Sequence, residues 1–394
     1  MDVSGSKRFG FATTGLMLCA LMIGTNIPSP LYGVYEHLWH FSPSVLTLVF
    51  STYALCIIPS LLIFGQLSDA LGRKPVMVAG FLIAAVGSLT FVFAKNVTWL
   101  FIARALQGLA VGIVSGTATA ALTELEPNSN RQRASLVASL ATAGGTALGP
   151  IFAGLLAQYA PMPLQLPYLL NCVLLLIGLL GLLFISEPLP KDFRKHWEPQ
   201  RPGVPREILS PFVVGSLVAF AAWTVTALFM SLVPSYVTSL LHVKNLAVAG
   251  SVVFLMLGSS SLIQLTLRKL GNRTAQITGL LLLLIGLAGI IASVPMQSLW
   301  FLLVSTVIAG AGQGLAFMGS VSLVNHVAPP AQRGSVFSTM YVVVYCGVGL
   351  PVIGVGFLAQ KLGLFSAVIV FSVLVCLLNL VMIGAILRLK EISK

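Results

Sequence analysis

Twelve long, uninterrupted apolar runs constrain this chain more than any other feature. They lie at about residues 12–34, 45–66, 75–94, 98–122, 134–158, 167–186, 209–237, 246–267, 275–293, 298–324, 334–357 and 363–387. A helix of roughly 20 apolar residues crosses the ~30 Å hydrocarbon core of a bilayer. A membrane barrel would instead show alternating apolar and polar residues, and these runs are continuous. The chain therefore reads as all-α and polytopic, with twelve transmembrane helices. Composition agrees: 57% of the 394 residues are hydrophobic and 8% are charged, against about 25% charged in soluble domains.

Connections between the runs are short except for 187–208 (EPLPKDFRKHWEPQRPGVPREI), which is polar and proline-rich. It reads as a cytoplasmic linker between an N-terminal six-helix half, 1–186, and a C-terminal half, 209–394. Lysine and arginine placement orients the chain. With the N-terminus inside, the cytoplasmic segments hold Lys7, Arg8, Arg73, Lys74, Arg131, Arg133, Lys191, Arg194, Lys195, Arg201, Arg206, Arg268, Lys269, Arg273, Arg333, Arg388, Lys390 and Lys394. The outer loops hold only Lys95, Lys244 and Lys361. Both termini are then cytoplasmic, and the expected location is a bacterial inner membrane. The +12 net charge expresses topology, so no nucleic-acid partner is expected. No cleavable signal peptide is read: the first run is too long, carries Pro28 and Pro30, and lacks a cleavage site.

The cysteines, Cys19, Cys56, Cys172, Cys346 and Cys376, all fall inside runs and form no spacing motif, so they read as packing residues. No metal site and no cofactor are expected. No GxxxxGK[ST] string is present, which argues against ATP-driven transport. An intramembrane enzyme would need His, Asp or Glu clustered at membrane depth, and the sequence places none there.

The halves repeat each other. A shift of 202 residues overlays them without a gap from Arg104 to Gln158. Gly108 meets Gly310, Gly112 meets Gly314, Pro127 meets Pro329, Arg131 meets Arg333, and LAQ at 156–158 meets LAQ at 358–360. DALGRKP (69–75) lies over RKLGNRT (268–274) at a slightly different offset. Apolar helices share composition, so the loop residues Pro127 and Arg131 are the telling matches. Two tandem six-span halves are the layout of alternating-access carriers, with a substrate site expected near the bilayer midplane between them.

Three stretches are more specific. The loop after the second run reads GQLSDALGRKP (65–75). Gly65 and Gly72 permit close approach and a tight turn, Asp69 falls at a helix end, and Arg73 with Lys74 makes a basic anchor. Any positive-inside loop could carry the basic pair, but the whole G-x-L-x-D-x-x-G-R-K string resembles the loop 2–3 signature of the major facilitator superfamily. With the topology and the repeat, that resemblance covers essentially the whole chain. RALQGLAVG (104–112) is similar to the superfamily's fourth-span motif at Arg104, Gln107, Gly108 and Gly112. GGTALGPIFAG (144–154) resembles the fifth-span motif of exporters at Gly145, Gly149, Pro150 and Gly154, with Ala153 where glycine is usual.

The resemblance implies the major facilitator fold and, through the fifth-span motif, an antiporter similar to the twelve-span drug:proton group. It also implies a cytoplasmic gate. Asp69 would lock against the start of span 11 around Arg333–Val336, and Arg73 would pair with Glu124 or Glu126. At the equivalent of Glu124 the second half carries His326, and Arg268 replaces Asp69, so only the N-terminal gate is complete.

Every acid lies outside the middle of a span. Asp2, Asp69, Glu124, Glu126, Glu187, Asp192, Glu198, Glu207 and Glu391 fall in cytoplasmic segments or at cytoplasmic helix ends, and Glu36 just past the outer end of span 1. The resembled exporters often carry T-D-x-x-x-P in span 1. Here the string is TNIPSP (25–30), and Asn26 cannot ionise. At 1.5 Å per residue Asn26 lies about 12 Å from the outer end of span 1 and Arg104 about 9 Å from that of span 4. The buried cation, at a cost of roughly 2.5–3.5 kcal/mol at mid-membrane, therefore has three readings. Asn26, Gln107, backbone carbonyls and water satisfy it; or it binds an anionic group on the substrate; or it meets an acid such as Glu36. Glu36 and His326 are the candidate proton sites.

Spans 1, 4, 7 and 10 are expected to line the substrate cavity through Asn26, Tyr32, Arg104, Gln107, Ser115, Trp223, Thr226, Met230, Gln313 and Phe317, with Tyr53, Gln264 and Tyr341 from neighbouring spans. That mix suits a small amphipathic ligand. The expected protein is a monomeric secondary exporter of small amphipathic drugs or metabolites in the lipid bilayer, an antiporter with protons as the candidate coupling ion and Asn26 standing where the coupling aspartate is usual. Alternatives are an importer or facilitator of an organic anion without coupling at span 1, and a transport-dead sensor on a carrier scaffold.

Overall fold

A computed structural model describes residues 3–189, 197, 199 and 201–389. Asp2, Lys191, Asp192, Arg194, Lys195, Glu198, Lys390, Glu391 and Lys394 lie outside the described residues. Among those described, the chain is helical and has no strand. The α-helices are α1 (Val3–Asn26), α2 (Pro28–Trp39), α3 (Pro43–Phe64), α4 (Leu67–Leu71), α5 (Arg73–Val92), α6 (Val97–Leu125), α7 (Arg131–Tyr159) and α8 (Leu166–Leu183). They continue as α9 (Leu209–Ser231), α10 (Val233–Ser239), α11 (Leu246–Thr266), α12 (Asn272–Ser293), α13 (Leu299–Val327), α14 (Arg333–Leu362) and α15 (Leu364–Arg388). Among the described residues, twelve segments are long and apolar enough to cross a membrane, and the protein is a multi-pass membrane protein.

Observed ends fall within a few residues of the expected ones, with one consequential exception. The first span runs on to Trp39. Pro28 and Pro30 do not end it. They open α2 after a one-residue break at Ile27, because proline in a first helical turn needs no N–H partner. Glu36 therefore sits inside α2, half-buried, and not past the end of the span as its position in the sequence suggests. The seventh span is interrupted in a similar way at Leu232, ahead of Pro234 in α10.

Packing divides the chain into two compact units, one of Met1–Leu31 with Thr52–Arg201 and one of Tyr32–Ser51 with Pro202–Lys394. In the first, α1 packs on α6, α7 and α8, and α5 on α6 and α8. In the second, α9 packs on α13 and α14, and α13 on α11 and α12. Residues 32–51 belong to the second unit by contact: Ser44 Oγ donates to Gln360 Oε1 (2.5 Å) and Ser51 Oγ to Gly349 O (2.9 Å).

The repeat is visible in the packing of each unit. A Cβ on Gly108 or Gly112 would strike α3 at Tyr53, Cys56 and Ser60. One on Gly310 or Gly314 would strike α11 at Met256, Ser259 and Ser260. Glycine pairs four residues apart let helix backbones approach closely. The turns repeat too: His40 and His242, 202 residues apart, both take left-handed backbone, with φ of 51° and 55°.

Candidate functional site

Arg104 stands on α6, and the break in α1 makes its surroundings. Pro28 has no N–H, so the carbonyl of Gly24 loses the donor that a continuous helix supplies four residues on. Gln107, one turn along α6 from Arg104, fills the gap: its Nε2 donates to Gly24 O at 2.9 Å. Arg104 Nη1 donates to the next carbonyl, Thr25 O, at 2.8 Å and to Gln107 Oε1 at 2.9 Å. The guanidinium carbon lies 4.3 Å from the centre of the Tyr53 ring, a cation–π arrangement. Gly24 and Thr25 belong to the last turn of α1, where the helix dipole favours a cation. Arg104 and Gln107 are each 2% exposed, so these contacts are dry and correspondingly strong.

Asn26 faces its own helix. Its Nδ2 donates to Met22 O (2.8 Å) and Thr25 Oγ1 (3.1 Å). The bond anticipated from the Asn26 side-chain carbonyl to Arg104 is made by the backbone of Thr25, because the helix end presents an oxygen there. Tyr53, expected only as a peripheral wall residue, turns out to be the aromatic face against the cation.

A second polar centre surrounds the α4–α5 turn. Gly72 has φ 103°, a backbone that side-chain-bearing residues rarely adopt, and its N–H bonds Ser68 O at 3.1 Å. Gly65 N–H bonds Leu61 O at 2.9 Å in the turn before α4. Arg73, 9% exposed, pairs through Nη1 with Asp69 and donates to Ser68 Oγ at 2.7 Å. Its Nε and Nη2 fork Glu124, at 3.2 Å and 3.0 Å to Oε1. Of the two acids expected opposite Arg73, it is Glu124 that pairs. Glu126 accepts instead from Asn128 N (2.8 Å), Asn130 N (2.6 Å) and Arg133 Nη1 (3.3 Å), and so builds the turn into α7. Arg333 is exposed at the start of α14.

The GGTALGPIFAG stretch lies in α7 with Gly145, Gly149, Pro150 and Gly154 all buried. A Cβ on Gly145 would lie 2.5 Å from Cys19 O, and one on Gly149 would lie 2.6 Å from Ile23 O and 2.8 Å from Asn26 Cβ. The two glycines seat α7 on the last turns of α1, the helix end that also carries the carbonyls holding Arg104 and Gln107.

In the second unit Trp223 and Phe317 meet edge to face at 5.5 Å, over a core that includes Phe212, Met340 and Val344. Trp223 Nε1 is buried without a hydrogen-bond partner among the described residues. Gln313 Oε1 accepts from Ser260 Oγ, which in turn accepts from Gln264 Nε2 at 3.1 Å. Thr226 and, in the first unit, Ser115 spend their hydroxyls on Ala222 O and Val111 O one turn back. Met230 is buried, Tyr32 packs edge-on to Phe50, and Tyr341 is exposed beside Tyr345. His326 is exposed in the last turn of α13. Among the described residues no cluster of three or more His, Cys, Asp or Glu could hold a metal ion.

Among the described residues, twelve helices long and apolar enough to cross a membrane, a helix break capped from α6 and an ion-paired turn after the second span define a polytopic helical membrane protein. The chain belongs to the Major Facilitator Superfamily, whose profile matches residues 14–296 and 262–394. Members of that family are transporters that bind small molecules within a membrane, so this protein is a transporter and not an enzyme. Among curated relatives it is 26% identical over 345 residues to the multi-drug resistance efflux pump PmrA of Streptococcus pneumoniae, covering 84% of each chain. It is 28% identical over 341 residues to the multidrug resistance protein MdtG of Enterobacter lignolyticus, covering 82% of this chain and 78% of that one. Among solved structures, a bacterial homologue of the human lysosomal transporter Spinster matches with a TM-score of 0.75 at 14% identity, over 98% of this chain and 99% of that one.

Proposed function

We propose that the protein exports small amphipathic compounds by alternating access, as an antiporter, with both termini in the cytoplasm of a bacterial cell. The observation that supports the direction of transport is the resemblance of GGTALGPIFAG (144–154) to the fifth-span motif of exporters, whose Gly145 and Gly149 seat α7 on α1. Relatives named as efflux pumps over most of the chain support it. Asn26, Arg104 and Gln107 in the first unit, and Trp223, Phe317 and Gln313 in the second, are the proposed substrate-handling residues. Asp69, Arg73, Glu124 and Arg333 are the proposed gate residues. Glu36 and His326 are its proposed proton sites.

The anion-facilitator alternative draws its support from Arg104, a buried guanidinium whose neighbouring span-1 side chain is the neutral Asn26. Export from proteoliposomes loaded with a panel of cationic, neutral and anionic dyes, with and without a pH gradient, separates the readings. Export of amphipathic dyes stimulated by a proton gradient is the expected result. Flux of anions alone, indifferent to the gradient, would replace this reading with the facilitator. In the same assay Arg104→Ala should abolish anionic flux and leave neutral flux largely intact if the guanidinium meets the substrate. Equal loss of both assigns it a structural role.

A further inference from the structure

Glu187 stands just past α8, at the start of the linker, and nothing in its local sequence marks it for a role. In the folded chain its carboxylate lies over the first turn of α5. Oε1 accepts from Arg73 N at 2.6 Å and from Leu189 N at 3.1 Å, and Oε2 accepts from Lys74 N at 3.1 Å. The exchange is reciprocal: Lys74 Nζ donates to Ile185 O at 2.7 Å and Leu183 O at 3.0 Å. An anion thus meets the orphan N–H groups at the start of α5, and a cation meets orphan carbonyls where α8 ends. Each charge sits at the helix end whose dipole favours it.

The residue held in this way is the one whose side chain carries the ion pairs. Arg73 is gripped through its backbone N–H by Glu187 and through its guanidinium by Asp69, Ser68 and Glu124. The preceding residue, Gly72, has no side chain to limit its backbone, so it does not fix the direction in which Arg73 leaves the turn. We propose that Glu187 is the positioning residue of the Arg73 network. It sets the orientation of the guanidinium fork toward Glu124, so that the segment following α8 and the α4–α6 network respond as one piece. The same pair of contacts makes Lys74 a reciprocal member, which gives the arginine-lysine pair of the loop two distinct jobs: a fork for carboxylates and a cap for α8. This inference concerns the first unit alone and holds whichever direction the transporter works in.

Hydrogen exchange measured by mass spectrometry on the full chain in lipid nanodiscs tests it. Glu187→Ala should speed exchange about 10-fold in residues 70–78, where the N–H partners are lost. It should also speed exchange several-fold in 121–130, which Glu187 does not touch but Arg73 reaches through Glu124. Glu187→Gln, which keeps an acceptor oxygen without the charge, should fall between. In an Arg73→Ala background the effect of Glu187→Ala on 121–130 should vanish. A response confined to 70–78, or one at 121–130 that persists without Arg73, would reduce Glu187 to a local cap and overturn the proposal. If Glu187→Ala does not yield a monodisperse protein, Glu187→Gln carries the test: it should speed exchange in both 70–78 and 121–130, and wild-type exchange at 121–130 would equally overturn the proposal.

Discussion

If Gln107 is held in place by the carbonyl that Pro28 leaves without a donor, the two residues must be energetically coupled. Gln107→Leu keeps the volume and removes two dry hydrogen bonds, Nε2 to Gly24 O at 2.9 Å and Arg104 Nη1 to Oε1 at 2.9 Å. A buried acceptor left unsatisfied costs about 1–3 kcal/mol. Interhelical hydrogen bonds in membrane proteins average about 0.6 kcal/mol and reach about 1.7. Gly24 O is left in a dry site, which puts it toward the upper end. Adding the acceptor lost to Arg104, the expected cost is about 2 kcal/mol. Pro28→Ala restores an N–H four residues after Gly24, so in that background about 1 kcal/mol of the cost should disappear. The measurement is a double-mutant cycle in reversible SDS unfolding of the purified protein, followed by far-ultraviolet circular dichroism. Equal penalties in the two backgrounds, within about 0.3 kcal/mol, would refute the link between the proline break and the Gln107 cap.

Two further outcomes follow from the same helix junction. Gly149→Ala places a methyl 2.6 Å from Ile23 O and 2.8 Å from Asn26 Cβ. It should force α7 off α1 and lower stability by about 1–3 kcal/mol, as overpacking does, while Gly144→Ala, where a Cβ meets nothing within 4 Å, should be nearly neutral in the same unfolding assay; similar penalties for both would dismiss the seating argument. Asn26→Asp puts a carboxyl beside the Arg104 carbonyl cap in a site only 5% exposed, and dye flux should then gain dependence on a pH gradient. An unchanged pH profile would sink the idea that this position is the vacated coupling site.

The spans were legible because lipid allows so few ways to satisfy a backbone, and the paired glycines because a missing Cβ is visible in one letter. The site was harder to read. Two acids two residues apart, Glu124 and Glu126, could both reach Arg73. The choice is made by where α6 ends: Leu125 is its last residue, so Glu124 still projects from the helix while Glu126 already belongs to the turn and bonds its N–H groups. Asn26 matched a known position, yet its neighbour's backbone does the work, and a backbone carbonyl has no signature in a sequence. Glu187 looked like one more linker charge because its partners, Arg73 N and Lys74 N, lie more than a hundred positions earlier.

By itself, then, the order of residues determined the number of spans, the repeat and the family, since apolar length, small residues at fixed spacing and loop charges act locally and are written locally. Only the tertiary structure decided the partners of Arg104, Arg73 and Glu187. The distant partners, Thr25 O for Arg104, Glu124 for Arg73, and the N–H groups of Arg73 and Lys74 for Glu187, lie on other helices, and in two of the three cases they are main-chain groups that nearly every residue type carries alike. Proximity in the fold, rather than side-chain identity, selects such an atom.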